Sequence, residues 1–215
     1  MKVDERLADL FRPNRKRPED LRRVASRLGM SYAARDEYGT IKLLRDFRLF
    51  RLGFSKRIHN ILHLRDEEGE MDIQLFDYRY TIKAGNAVVT RHQSVFFLQS
   101  KRFALPEFNM RPEHFFHRIG IFFGMQDIDF KDHPQFSQNY LLRGPDEEMI
   151  RHQLSPRFRD YFSEYDDWSV EGINYFLLLY RHKRLIAPAA FAPYLRKARY
   201  IAQLLLEPPS SNPIS

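Results

Sequence analysis

The sequence predicts an α+β fold: an antiparallel sheet with a long central hairpin, packed by several helices including a C-terminal one. Three observations carry this. Residues 71–82 and 87–99 are rich in β-branched and aromatic residues, and Lys83-Ala84-Gly85-Asn86 between them is a hairpin signal. Strand-like segments cluster instead of alternating singly with helices, and no strand leads into a Gly-rich turn and helix, which argues against a doubly wound sheet. Residues 188–206 place Phe191, Leu195, Ala198, Ala202 and Leu205 three and four apart, the helical period.

The elements follow in order. Residues 1–17 read as a polar, basic arm. Pro18, with Glu19 and Asp20 behind it, opens an amphipathic helix over 18–28 carrying Leu21, Val24, Ala25 and Leu28, and Gly29 stops it. Between 31 and 64 the apolar residues lack a clean period; Ile58, Ile61, Leu62 and Leu64 are assigned to a strand. In the strand 71–82 the apolar phase switches at Leu75-Phe76, the mark of a bulge or of burial on both faces. Pro106 and Pro112 bracket an extended segment, and Pro112 opens a Phe-rich helix through Phe123. Tyr140–Arg143 is a short strand. Helices follow from Gly144-Pro145, with three acidic residues at the positive end of the dipole, and from Ser155-Pro156, an N-cap with Pro at N1. Strands at 169–173 and 175–181 precede the last helix. The hairpin 71–99 and that helix are expected to pack together with Phe96, Phe97 and Leu177 buried. The domain division expected is a basic arm and helix over 1–40, an α+β domain over 41–206 and a disordered tail over 207–215.

The chain has 215 residues, a net charge of +7 and no cysteine. Disulfides, thiol catalysis and Cys-ligated metals are therefore excluded. Its apolar runs are far shorter than the ~18 residues of a membrane-spanning helix. A cytoplasmic protein is expected, peripheral to a membrane if its basic segment meets lipid. Residues 1–65 hold 17 Lys and Arg against 8 Asp and Glu, while the remainder holds 18 against 20, so the whole excess lies in the first third. Arg12, Arg15, Lys16, Arg17, Arg22, Arg23 and Arg27 crowd one stretch and form the candidate anion-binding set, for an anionic membrane surface or nucleic acid. The competing reading is a solvated helix face.

No phosphate-cradling G-x-x-x-x-G-K-[ST] or G-x-G-x-x-G, no H-E-x-x-H and no complete nucleophile elbow occurs; at Gly53-Phe54-Ser55-Lys56-Arg57 an arginine stands where the second glycine belongs. Asp127, Asp129, Asp132 and His133 are the candidate metal set, able to serve a metal-dependent hydrolase if the side chains converge. Alternatively they cap turns around His133-Pro134. His114 and His117 stand one helical turn apart, without an evident third ligand. Phe76, Tyr78, Tyr80, Phe96 and Phe97 resemble a base-stacking surface in principle, but the charge around them is mixed, with only Arg79 and Arg91 nearby, and core packing is the expected role.

The blocks Leu75-Phe76-Asp77-Tyr78-Arg79-Tyr80, Leu105-Pro106-Glu107-Phe108, 127–140, 143–147 and Leu154-Ser155-Pro156 resemble an uncharacterised bacterial protein family, over roughly residues 45–200. The resemblance implies a soluble α+β domain, membrane-anchored in many members, and no catalytic residues. The function expected is a non-enzymatic binding or accessory module, without a cofactor, whose partner is a protein or an anionic surface. Nucleic-acid or anionic-lipid binding through the basic segment is the alternative, and hydrolysis at the Asp/His cluster the second.

Overall fold

The computed structural model describes residues 16–65, 70–113, 127–164 and 167–207. Helix α1 (Arg17–Arg27) leads into β1 (Ser31–Arg35), then α2 (Thr40–Leu43), a 3-10 turn and α3 (Arg48–Arg51). Strands β2 (Phe54–Arg65), β3 (Asp72–Ala84), β4 (Ala87–Gln99) and β5 (Leu105–Pro112) follow. After them come α4 (Pro134–Asn139), β6 (Tyr140–Arg143), α5 (Glu147–Gln153) and α6 (Pro156–Glu164). Strands β7 (Ser169–Asn174) and β8 (Phe176–Tyr180) and helix α7 (Phe191–Leu206) complete the described chain.

The eight strands form one antiparallel sheet in the order β1-β2-β3-β4-β8-β7-β5-β6. The fold class is thus the predicted α+β. The β3–β4 hairpin runs without a slip from Asp72↔Gln99 to Ala84↔Ala87, and Gly85 supplies the positive φ of its turn. Its phase switch is therefore burial on both faces. Leu75, Phe96 and Leu177 join the cluster under α1 and α7, while Phe76, Phe97 and Tyr78 join a second cluster on the opposite face, against Phe47 and Phe50 around α3. The register shifts lie instead in β2, between Phe54 and Arg57 and between His59 and Leu62.

Several sequence readings need correction. The boundary at residue 40 does not divide the packing: β1 is the first strand of the sheet, and Leu21 and Ala25 of α1 lie in the main core. The helical stretch also begins at Arg17, one residue earlier than predicted, and that residue is pinned to the sheet. The cap at Ser155 forms as expected, its Oγ accepting from the Phe158 amide, while the helix expected from Gly144-Pro145 starts at Glu147 with Asp146 as its N-cap, accepting from the Met149 amide. Pro112, expected to open a Phe-rich helix, is instead the last residue of β5, opposite Tyr140; the rest of that stretch, with His114 and His117, and the tail from 208 onward lie outside the described residues.

Candidate basic cleft at the open end of the sheet

One face of β2, β3 and β4 changes character along its length. Beneath α1 and α7 it is apolar, with Ile73, Leu75, Phe96 and Leu98. One step on, Asp77 is almost wholly buried at 1% exposure and forms the centre of a polar node. Arg17 grips it bidentately, Nε to Oδ2 and Nη2 to Oδ1, both at 2.7 Å. Asn60 Nδ2 and Ser94 Oγ also donate to it, at 2.9 and 3.0 Å. Arg17 Nη1 donates to the Ile186 carbonyl at 2.8 Å, and Tyr32 OH donates to Asn60 Oδ1 at 2.8 Å. A buried carboxylate is tolerated when charge-paired and fully hydrogen-bonded. The node ties α1, β1, β2, β3, β4 and the segment before α7 together.

Two residues further along each strand, the face becomes cationic. Residues directly opposite on neighbouring strands share a face. Arg57 on β2 faces Arg79 on β3, which faces His92 on β4, and Arg35 on β1 faces His59. With Lys56, Asp36 and the apolar Ile41 and Ile58 they line a cleft of about 680 Å³, beyond the point where β1 ends. Gly53 precedes it at positive φ, where a side chain would run into the Thr81 carbonyl. Asp36 accepts with both oxygens from the Thr40 and Ile41 amides, so its charge is directed into the α2 start. Among the described residues Arg35, Arg57 and Arg79 have no carboxylate within salt-bridge distance, and the Arg79 Nε is buried without a hydrogen-bond partner. Burial, then nearby charge, sets the imidazoles: His59 and His92 both lie below the ordinary value, with Arg79 adding to the depression at His92.

The sequence-predicted residues are placed differently. Arg12 and Arg15 lie outside the described residues. Arg17 leaves the anion-binding set, because its guanidinium is closed on Asp77. Lys16, Arg22, Arg23 and Arg27 are exposed, although Arg22 stacks over the Tyr32 ring and Arg23 approaches Asp20 at 3.5 Å. In the acidic segment Ile128 and Phe130 turn inward while Asp127 and Asp129 stay exposed. Asp127 pairs with Arg143, Asp132 with Arg159 at 3.2 Å, and His133 Nε2 with Asp160 at 3.2 Å. Burial would lift the Asp132 carboxyl, but Arg159 and His133 outweigh it and hold it below the usual range. Among the described residues no group of three or more His, Asp or Glu side chains is arranged to hold a metal. Phe76, Tyr78, Tyr80, Phe96 and Phe97 are all buried and offer bases no surface.

Sequence reading missed Arg35, Lys56, Arg57, His59, Arg79 and His92. A signal existed: Arg57-x-His59, Asp77-x-Arg79 and His92-x-Ser94 each put polar residues two apart within strands, hence on one face. Only the pairing register shows that the three faces coincide.

An eight-stranded antiparallel sheet with helices on one face and a short helical cover on the other defines this class of fold. The crystal structure of the mycobacterial trehalose monomycolate transport factor A, TtfA, shares it at a TM-score of 0.63 and 13% identity, over 93% of this chain and 100% of that one. At that identity the likeness establishes the fold. No protein-family model and no curated protein sequence matches the chain. Among the described residues no helix is long and apolar enough to cross a membrane.

Proposed function

We propose that this chain is a non-enzymatic accessory module that works at an anionic surface, alongside a protein partner. The observation carrying the reading is the row of uncompensated cations at the end of β1–β3. Residues 1–15 join the fold at Lys16, next to Arg17, and Arg17 sits on Asp77, two residues along β3 from Arg79. The cleft cations and the exposed Lys16, Arg22, Arg23 and Arg27 add to the positive charge of the chain, which concentrates anionic partners. A fold shared with a transport factor over its whole length supports an accessory role. Burial of the strand aromatics removes the stacking surface that would favour single-stranded nucleic acid.

Vesicle co-sedimentation tests this. Full-length protein is expected on vesicles rich in phosphatidylglycerol and not on phosphatidylcholine, with about 1 kcal/mol per basic residue at the surface and a steep loss between low and physiological salt. Deleting residues 1–15 weakens the association and leaves the fold intact, because Arg17 remains. Binding to duplex DNA instead, with a log–log salt slope of about −0.9 per phosphate, would move the reading to nucleic acid.

A further inference from the structure

The cleft has features that general basicity does not require. Like charges directly opposite on adjacent strands repel. Arg57 and Arg79 nevertheless face each other, with His92 next in line. The acidic groups nearby are already closed: Asp77 by Arg17, Asn60 and Ser94, and Asp36 by two backbone amides. Arg57 and Arg79 both line the cleft and have no carboxylate within salt-bridge distance among the described residues. Paired arginines present planar forks that match a tetrahedral oxyanion bidentately, and a phosphate has enough oxygens to engage donors from several strands at once. At about 680 Å³ the cleft is the size of a small-molecule site, with room for the group esterified to the phosphate.

We propose that this cleft binds the phosphate of a phosphomonoester, with Arg57 and Arg79 as the paired donors and His59 and His92 flanking them. The proposal rests on the anionic-surface reading and sharpens it from a diffuse field to a built site. The phosphate replaces the missing carboxylates and offsets the like charges of Arg57 and Arg79. A monoester is favoured over a diester because its second negative charge meets a site with at least two uncompensated cations.

The test uses the full chain, Arg79→Gln, Arg57→Gln and the charge-conserving Arg79→Lys, each checked for native circular dichroism. The probes are inorganic phosphate, against chloride at matched ionic strength, and vesicles containing phosphatidic acid or phosphatidylglycerol at equal surface charge. Phosphate is expected to raise the melting temperature of the parent protein and not that of Arg79→Gln. Phosphatidic acid vesicles are expected to bind about tenfold more tightly than phosphatidylglycerol ones, competed by inorganic phosphate, with the preference lost in both Gln variants and reduced in Arg79→Lys. Equal binding of both lipids by parent and variants overturns the cleft and leaves the anionic-surface reading standing. A phosphate response confined to the parent, without vesicle binding, keeps the cleft for a soluble phosphomonoester and removes the surface reading.

Discussion

The acidic segment 127–133 and the open end of β2–β4 are both dense in charge, and they differ in compensation. In the first, Asp127, Asp132 and His133 each meet an opposite charge on a neighbouring element. In the second, cation faces cation across adjacent strands, and the nearest carboxylates are bonded elsewhere. Charges that close on each other hold a fold together. Charges left side by side are an unfavourable arrangement for the unliganded protein, and they become favourable when a ligand supplies the missing sign. The comparison separates a compensated polar cluster from an uncompensated one without any motif.

The largest effect is expected where compensation is most complete. Arg17 is 11% exposed and Asp77 1%. Arg17→Ala strands the Asp77 carboxylate, and urea unfolding should show a loss of about 3–5 kcal/mol. A loss below about 1 kcal/mol would mean that Asn60 and Ser94 satisfy Asp77 unaided, and that the node is not compensated by charge.

Next comes acid sensitivity. Burial, followed by Lys183, Arg111 and Arg91, pushes His182 down to about 4. The unfolded chain takes up this proton first as pH falls, so stability is complete above the ordinary imidazole value and declines between there and about pH 4. At most about 3 kcal/mol is lost through His182 over that window. His59 and His92 are depressed too and add to the loss in the same direction. Urea unfolding from pH 7.5 to 4.5 should show this slope, and His182→Asn should flatten it. If phosphate occupies the cleft, it should lessen the His59 and His92 part, because an anion favours the charged imidazoles. An unchanged slope in His182→Asn would assign the acid sensitivity to other groups.

The smallest effect has the sharpest sign. Asp132→Asn removes partners from Arg159 and His133 and should destabilise by up to about 1 kcal/mol. Arg57→Gln removes one of two facing cations and should leave the unliganded protein unchanged or more stable, by up to about 0.5 kcal/mol. Parallel denaturant titrations decide it. Equal losses in both variants would erase the difference between the two regions.

Local signals determined much of this protein. The hairpin 71–99 was legible because β-branched and aromatic runs flank a Gly-Asn turn, and the cap at Ser155 because capping depends on neighbours a few residues away. Helix α7 was legible from its period alone. The irregular stretch 40–51 was not: its short helices form because Leu44, Phe47, Leu49 and Phe50 cover the second face of the sheet, where Glu171, distant in sequence, accepts from the Arg48 and Leu49 amides at 2.6 and 3.1 Å. Arg17 looked like one more cation of a solvated arm, since nothing local distinguishes it from Arg15 or Lys16. Its partner is 60 residues away on β3. The cleft was hidden for the same reason. Sequence places a charge on one face of its own strand, but which charges stand together depends on the register between strands. Tertiary packing fixes that register, and so it alone decided which cations are compensated and which are left facing one another.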